Sequence, residues 1–246
     1  MHISPYTLQK IKSIGGDHEP SPLRLRIALM AENLMQGPGE IDATGLENFE
    51  QAVDVSPLVI ATSHKTDQDP LLVGNVAARL CKVGFGVMSP NLEDPNRYAY
   101  AIAGIHPVSI PWEINSRGGK SPMPFDSAYY EKMINELKTS EDAMIVAAYN
   151  PLQHVRQRRP GQLVPHLYLS GASVLPTSVT LRNPKTGRND YEGTLPVSEH
   201  TDARVHFSKL MTPTDDEVAE YGAADRKNQL YLRKKIGNQI FDILNS

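Results

Sequence analysis

With 246 residues and a single cysteine, Cys81, the chain is long enough to bury a core unaided and cannot close an internal disulfide. Its 40% hydrophobic and 22% charged residues exclude global disorder, and a net charge of −3 supplies no positive field, so no nucleic-acid partner is expected. Met1 to Gly16 lacks the apolar stretch of a secretory signal. The longest run without Asp, Glu, Lys or Arg, 160–181, is interrupted by Pro160, Pro165 and Pro176, so no membrane-spanning helix is expected.

Residues 1–40 read as a leader followed by a helix. Gly15-Gly16 and Glu19-Pro20-Ser21-Pro22 break the leader. Leu25, Ala28, Leu29, Leu34 and Met35 then keep helical spacing until Gln36-Gly37-Pro38-Gly39 ends the helix. The remainder, 41–246, reads as one domain. Pro57 to Thr62 is a short β-rich apolar run and predicts a buried strand. Asp69 as N-cap and Pro70 at the first helical position predict a helix to Cys81, closed by Gly84 and Gly86, with a strand over Val83–Met88.

The Pro- and Gly-rich region 90–125 reads mostly as loop. Ser127 to Leu137 predicts a helix with Tyr130, Met133 and Leu137 on one face, and Ala143 to Ala148 a buried strand. Leu167 to Ser173 fits either helix or strand; Val174–Leu181 and Ala203–Phe207 predict strands. Asp215 to Leu244 predicts a helix broken near Gly222. Apolar strands alternating with helices imply an α/β fold: a single layered domain with a mixed, mostly parallel sheet flanked by helices.

The chemistry concentrates in Ser63-His64-Lys65-Thr66-Asp67-Gln68-Asp69-Pro70. This segment puts a histidine in the turn after a buried strand and a carboxylate five positions later at a helix start. Such turns hold side chains at the mouth of an α/β sheet, where ligands bind. Two readings are open. Asp69 can be a plain N-cap worth ~1 kcal/mol, with His64 an ordinary loop residue. Alternatively, Asp69 accepts a hydrogen bond from one imidazole nitrogen and leaves the other to take a proton from a substrate hydroxyl, general-base help of roughly 10²–10⁴-fold.

The flanks bear on that choice. Thr44-Gly45-Leu46-Glu47-Asn48, then Pro57-Leu58-Val59-Ile60-Ala61, then Ser63-His64 through Asp69-Pro70, closely resemble the opening of the glycerolipid acyltransferase family. These enzymes acylate glycerol-3-phosphate or 1-acylglycerol-3-phosphate. The family's first motif is Asn/Ser-His followed by four residues and Asp, preceded by a Gly-x-Glu-Asn turn and a strand. Val174-Leu175-Pro176-Thr177-Ser178-Val179 is similar to the fourth motif, although an edge strand also explains a proline there. The resemblance spans roughly residues 41–210, its first third being specific.

The resemblance implies an acyltransferase-like fold, with His64 as catalytic base and Asp69 as its orienting partner, Asp67 being off the family spacing. The acyl donor is acyl-CoA or acyl-carrier protein, used as a co-substrate, and neither a metal nor another cofactor is implied. It further implies a lipid or glycerol-phosphate-like acceptor. Arg117, in Ile114-Asn115-Ser116-Arg117-Gly118, stands where the second motif grips a phosphate; an exposed loop arginine is the alternative.

The third motif departs from the family. Phe-Pro-Glu-Gly is replaced by Tyr149-Asn150-Pro151-Leu152-Gln153-His154, so Asn150 and Arg156, with His154, Arg158 and Arg159 nearby, are the residues left to contact the acceptor. A solvated basic loop is the plainer reading of that cluster. The altered motif also keeps open a non-catalytic lipid- or acyl-thioester-binding member of the same fold. A hydrolase using Ser63, or a metal on His64, Asp67 and Asp69, lacks a Gly-x-Ser-x-Gly elbow and a second histidine at ligand spacing. In the last helix, Leu232, Ile236, Ile240 and Leu244 form a stripe beside Arg233, Lys234 and Lys235. It suits packing on the sheet or docking on an anionic membrane surface, and a cytoplasmic, peripheral location is expected.

Overall fold

A computed structural model describes residues 41–63, 65, 69–70, 72–73, 76, 84–88, 105–109, 112–114, 120–122, 135, 137–138, 143–148, 161–183, 185–188 and 202–245. The leader and helix expected over 1–40 lie outside these residues.

The described chain opens with strand β1 (Ile41–Thr44) and helix α1 (Leu46–Val53), neither of which the sequence patterns separated from a plain turn. Gly45 joins them with φ 71°, a left-handed conformation that L side chains resist. A Cβ added there would sit 2.1 Å from the Phe207 carbonyl oxygen, so only glycine fits. Asn48 completes the joint by donating its amide to that same oxygen at 2.9 Å, while Phe49 packs a tilted ring on Phe207 with centroids 4.9 Å apart. The Gly-x-Glu-Asn segment thus anchors α1 to the end of a distant strand.

The strands β2 (Leu58–Thr62), β7 (Ala143–Ala147), β8 (Ser173–Leu181), β9 (Ala203–Phe207) and β1 form a mixed sheet in the order β1-β9-β8-β2-β7. Two further strands, β3 (Gly84–Met88) and β4 (Ile105–Ser109), extend it to seven beyond β7. Every pairing is parallel except β8 with β9. β2 is buried along its whole length, because a parallel strand covered on both faces has no solvent side. β9 alternates instead: Ala203, Val205 and Phe207 point inward while Arg204 and His206 are exposed.

Two cores sandwich the sheet. On one face Phe49, Leu58, Ile60, Leu72, Val73, Ile145, Val179 and Phe207 pack together. On the other, Val59, Ala61, Met144 and Val174 meet helices α2 (Leu163–Leu169), α3 (Asp215–Ala223) and α4 (Arg226–Asn245). The ambiguous stretch 167–173 therefore divides, helix through Leu169 and strand from Ser173, with Gly171 at φ 102° in the turn between.

Several expectations are corrected. The region 90–125, read as loop, contributes β4 and a two-stranded antiparallel pair, β5 (Trp112–Ile114) and β6 (Lys120–Pro122). β4 ends the described sheet order, where Pro107 with its missing N–H is tolerated, and that proline masked the strand pattern. The last helix is interrupted near Gly222 as expected, at Ala224–Asp225: α3 is opened by a capping box between Thr214 and Glu217, and Asp225 starts α4 by accepting the Asn228 N–H at 2.8 Å.

Pro176 does not mark an edge strand, since β8 runs between β2 and β9. Its carbonyl accepts from Ser208 N, so its donor-less nitrogen faces the stretch between Phe207, where pairing with β9 ends, and Met211, which bridges to Val174. The Leu232, Ile236, Ile240 and Leu244 stripe lies against the second core, and Arg233 is itself 6% exposed rather than part of a solvated basic face.

Candidate active site

β2 and β7 are adjacent and parallel, yet their chains leave to opposite sides. The helical residues after β2 (Leu72, Val73, Val76) join the first core, whereas α2, after β7, joins the second. Divergence of this kind opens a crevice at the carboxyl ends of the two strands, the usual ligand position in an open α/β sheet. The segment from Ser63 to Asp69 begins at that edge.

Asp69 is completely buried there. Its Oδ2 accepts the Ser63 hydroxyl and the Lys65 backbone N–H, each at 2.9 Å. The carboxylate thus turns back along the chain to bind both residues that flank His64 in sequence. Ser63 Oγ in turn accepts the Val179 N–H of β8 at 2.9 Å, and Thr62 Oγ1 donates to the Ser63 carbonyl at 2.9 Å. Further backbone bonds tie the loop to the sheet, from Ser63 N to Thr177 O at 3.0 Å and from Ala148 N to Thr62 O at 2.9 Å. A buried carboxylate held by several N–H and O–H donors stays in one orientation.

Asp69 is itself helical rather than the expected N-cap, and among the described residues it is the only member of the expected catalytic pair; His64 lies outside them, as does Asp67. Arg117, Asn150 and Arg156 also lie outside. Arg117 falls in the connection between β5 and β6, whose strands pair Ile114 with Lys120. The chain carrying Asn150 and Arg156 leaves the sheet after Ala148 and rejoins the described structure at Gly161, whose N–H bonds Ala148 O at 2.7 Å. Both ends of that connection therefore stand at the same sheet edge as Asp69. Ser63, weighed as a hydrolase nucleophile, is fully buried with its hydroxyl donated to a carboxylate, an arrangement that withholds it from substrate.

A second polar cluster lies in the helical layer. His166 Nδ1 on α2 is 2.7 Å from Tyr221 Oη on α3, and Arg233 on α4 is buried beside them. Burial, reinforced by the Arg233 guanidinium, lowers the His166 pKa to about 4, so its ring is neutral at pH 7. Burial also raises Tyr221, against an opposing pull from Arg233. Tyr168 is raised to about 12 by burial and by the Glu217 carboxylate, 3.3 Å from its hydroxyl. Neutral, bonded rings in a packed helical layer are a structural device.

Neither a scan against protein-family models nor a search of curated proteins finds a match for this chain. Sequence reasoning did not assign two contributors to the site. Val179 acts through its backbone, and Ser63 acquires its role only because β8 passes beside β2. The one hint was the serine immediately before the histidine.

Proposed function

We propose that this protein is an O-acyltransferase of the glycerolipid acyltransferase type, moving a fatty acyl group from acyl-CoA or acyl-carrier protein to a hydroxyl of a glycerolipid-like acceptor. The observation that carries the reading is the Asp69 carboxylate, buried at the carboxyl end of β2 and bonded to both chain neighbours of His64. In this reading Asp69 orients the imidazole, and His64 takes the proton from the acceptor hydroxyl as its oxygen attacks the thioester carbonyl. The tetrahedral intermediate collapses with cleavage of the C–S bond, and the departing thiolate recovers the proton from the imidazolium. Arg117, Asn150 and Arg156 are assigned to the acceptor.

In this reading the acceptor is met at a bilayer surface. The apolar stripe of α4 is occupied by its own core, so contact with anionic lipid falls to the opposite face, where Leu230 and the 67%-exposed Tyr231 stand among exposed Lys227, Lys234 and Lys235. No helix among the described residues is long and apolar enough to cross a membrane.

The deciding experiment follows free-thiol release from palmitoyl-CoA with glycerol-3-phosphate and 1-acylglycerol-3-phosphate as acceptors. Release should require acceptor and fall at least ~10²-fold in His64→Ala with its melting transition intact. Undiminished release in that variant refutes the base assignment. The replaced third motif favours a second reading, an acyl-thioester binder, which predicts saturable binding of palmitoyl-CoA without release.

A further inference from the structure

We propose that Ser63 is a positioning residue for the His64–Asp69 pair, and that the β8 strand acts on the site through it. The inference rests on the reading of His64 as base and names what holds the acid that orients it. From the described residues Asp69 Oδ2 accepts a side-chain hydrogen bond, from the Ser63 hydroxyl, and a backbone one, from Lys65 N–H. The Ser63 hydroxyl has a single proton, and the Val179 N–H occupies one of its oxygen lone pairs at 2.9 Å. Its proton is thereby aimed away from β8 and toward the carboxylate.

The result is a directed chain, Val179 N–H to Ser63 Oγ–H to Asp69 Oδ2, in which every group is anchored. Val179 belongs to a strand that pairs with β9 and runs beside β2. Ser63 is fixed at its own backbone through Thr177 O and the Thr62 hydroxyl. Rotation of the carboxylate about its terminal torsion, which is soft in a free aspartate, would break both bonds to Oδ2. Fixing Oδ2 therefore fixes the direction of Oδ1 as well. Ser63 and Asp69 are both fully buried, so water does not stand in for the lost hydroxyl without new space being opened.

A hydroxyl that merely fills space and one that aims a carboxylate differ in what their removal does to the neighbouring ring. The long-range ¹H–¹⁵N spectrum of the His64 imidazole, titrated in wild type, Ser63→Ala and Ser63→Thr, reads this without any substrate. Ser63→Ala should lower the His64 pKa by half a unit or more, because the imidazolium loses its oriented anion, and should mix the two neutral tautomers. Ser63→Thr, which keeps the hydroxyl, should retain the wild-type tautomer. Palmitoyl-CoA turnover should fall 10- to 100-fold in kcat for Ser63→Ala, with KM changed less than threefold.

An unchanged tautomer and pKa in Ser63→Ala overturns the positioning role even where His64→Ala is inactive. Undiminished turnover in His64→Ala overturns the underlying base assignment instead, so the two failures are distinct. Should Ser63→Ala lose its native melting transition, Ser63→Cys, with similar volume and a weak donor, is read by the same spectrum.

Discussion

Replacing Asp69 separates the number of hydrogen bonds at the carboxylate from its charge. In Asp69→Asn the amide oxygen can take the place of Oδ2 and still accept from Ser63 and Lys65, but as a neutral acceptor. Hydrogen bonds to charged groups contribute roughly 1.5–3 kcal/mol and neutral ones about 0.5–1.5, so the two weakened bonds together lose ~2 kcal/mol. Asp69→Ala removes the acceptor and strands a fully buried hydroxyl and a partly buried N–H, each at roughly 1–3 kcal/mol, for a total of ~4 kcal/mol. At this chain length each kcal/mol lowers Tm by roughly 2–4 °C. Thermal unfolding should therefore place Asn ~6 °C and Ala ~12 °C below wild type. Thiol release, by contrast, should be nearly equal in the two, each down ~10²–10⁴-fold, since under the proposed mechanism both lack the anion that stabilises the imidazolium. An alanine variant as stable as the asparagine variant would refute the claim that this carboxylate holds the loop. Wild-type turnover in either would refute its part in catalysis.

The His166 cluster yields a pH prediction. Its pKa is about 4 in the folded chain against 6.5 when unfolded, so between those values the unfolded chain binds the extra proton. Stability on the order of 3 kcal/mol is present above pH 6.5 and is lost as pH falls toward 4. Urea denaturation of wild type and His166→Gln between pH 6.5 and 5 should give a steeper decline for wild type, and equal slopes contradict the assignment. For the membrane surface, cosedimentation with phosphatidylglycerol-containing vesicles should weaken severalfold in Lys227→Glu/Lys234→Glu and in 0.5 M salt. Binding indifferent to both removes α4 from the interface.

Much of the layered plan was legible in sequence because local patterns carry it. Val59, Ile60 and Ala61, or Met144, Ile145 and Val146, are short β-rich apolar runs of the kind that a strand buried on both faces accommodates, and Asp69-Pro70 signals a helix that the structure has at these residues. The candidate site was legible to the extent that His64 and Asp69 stand five positions apart in sequence. What the sequence withheld were interactions between residues far apart along it. Gly45 and Asn48 look like turn formers until the Phe207 carbonyl, 159 residues from Asn48, arrives beside them. Pro107 suppresses a strand signal that pairing with β3 nonetheless enforces.

By itself, then, the chain's order of residues determined which segments are apolar enough to be strands and which side chains can exchange a proton. Strand order, the direction of β9 against β8, and the aim of the Asp69 carboxylate were decided only when the sheet closed. The physical reason is that hydrophobic periodicity is a property of neighbours along the chain. A hydrogen bond from Val179 to Ser63, across 116 positions, exists only after burial has brought β8 beside β2 and left those groups no water to bond instead.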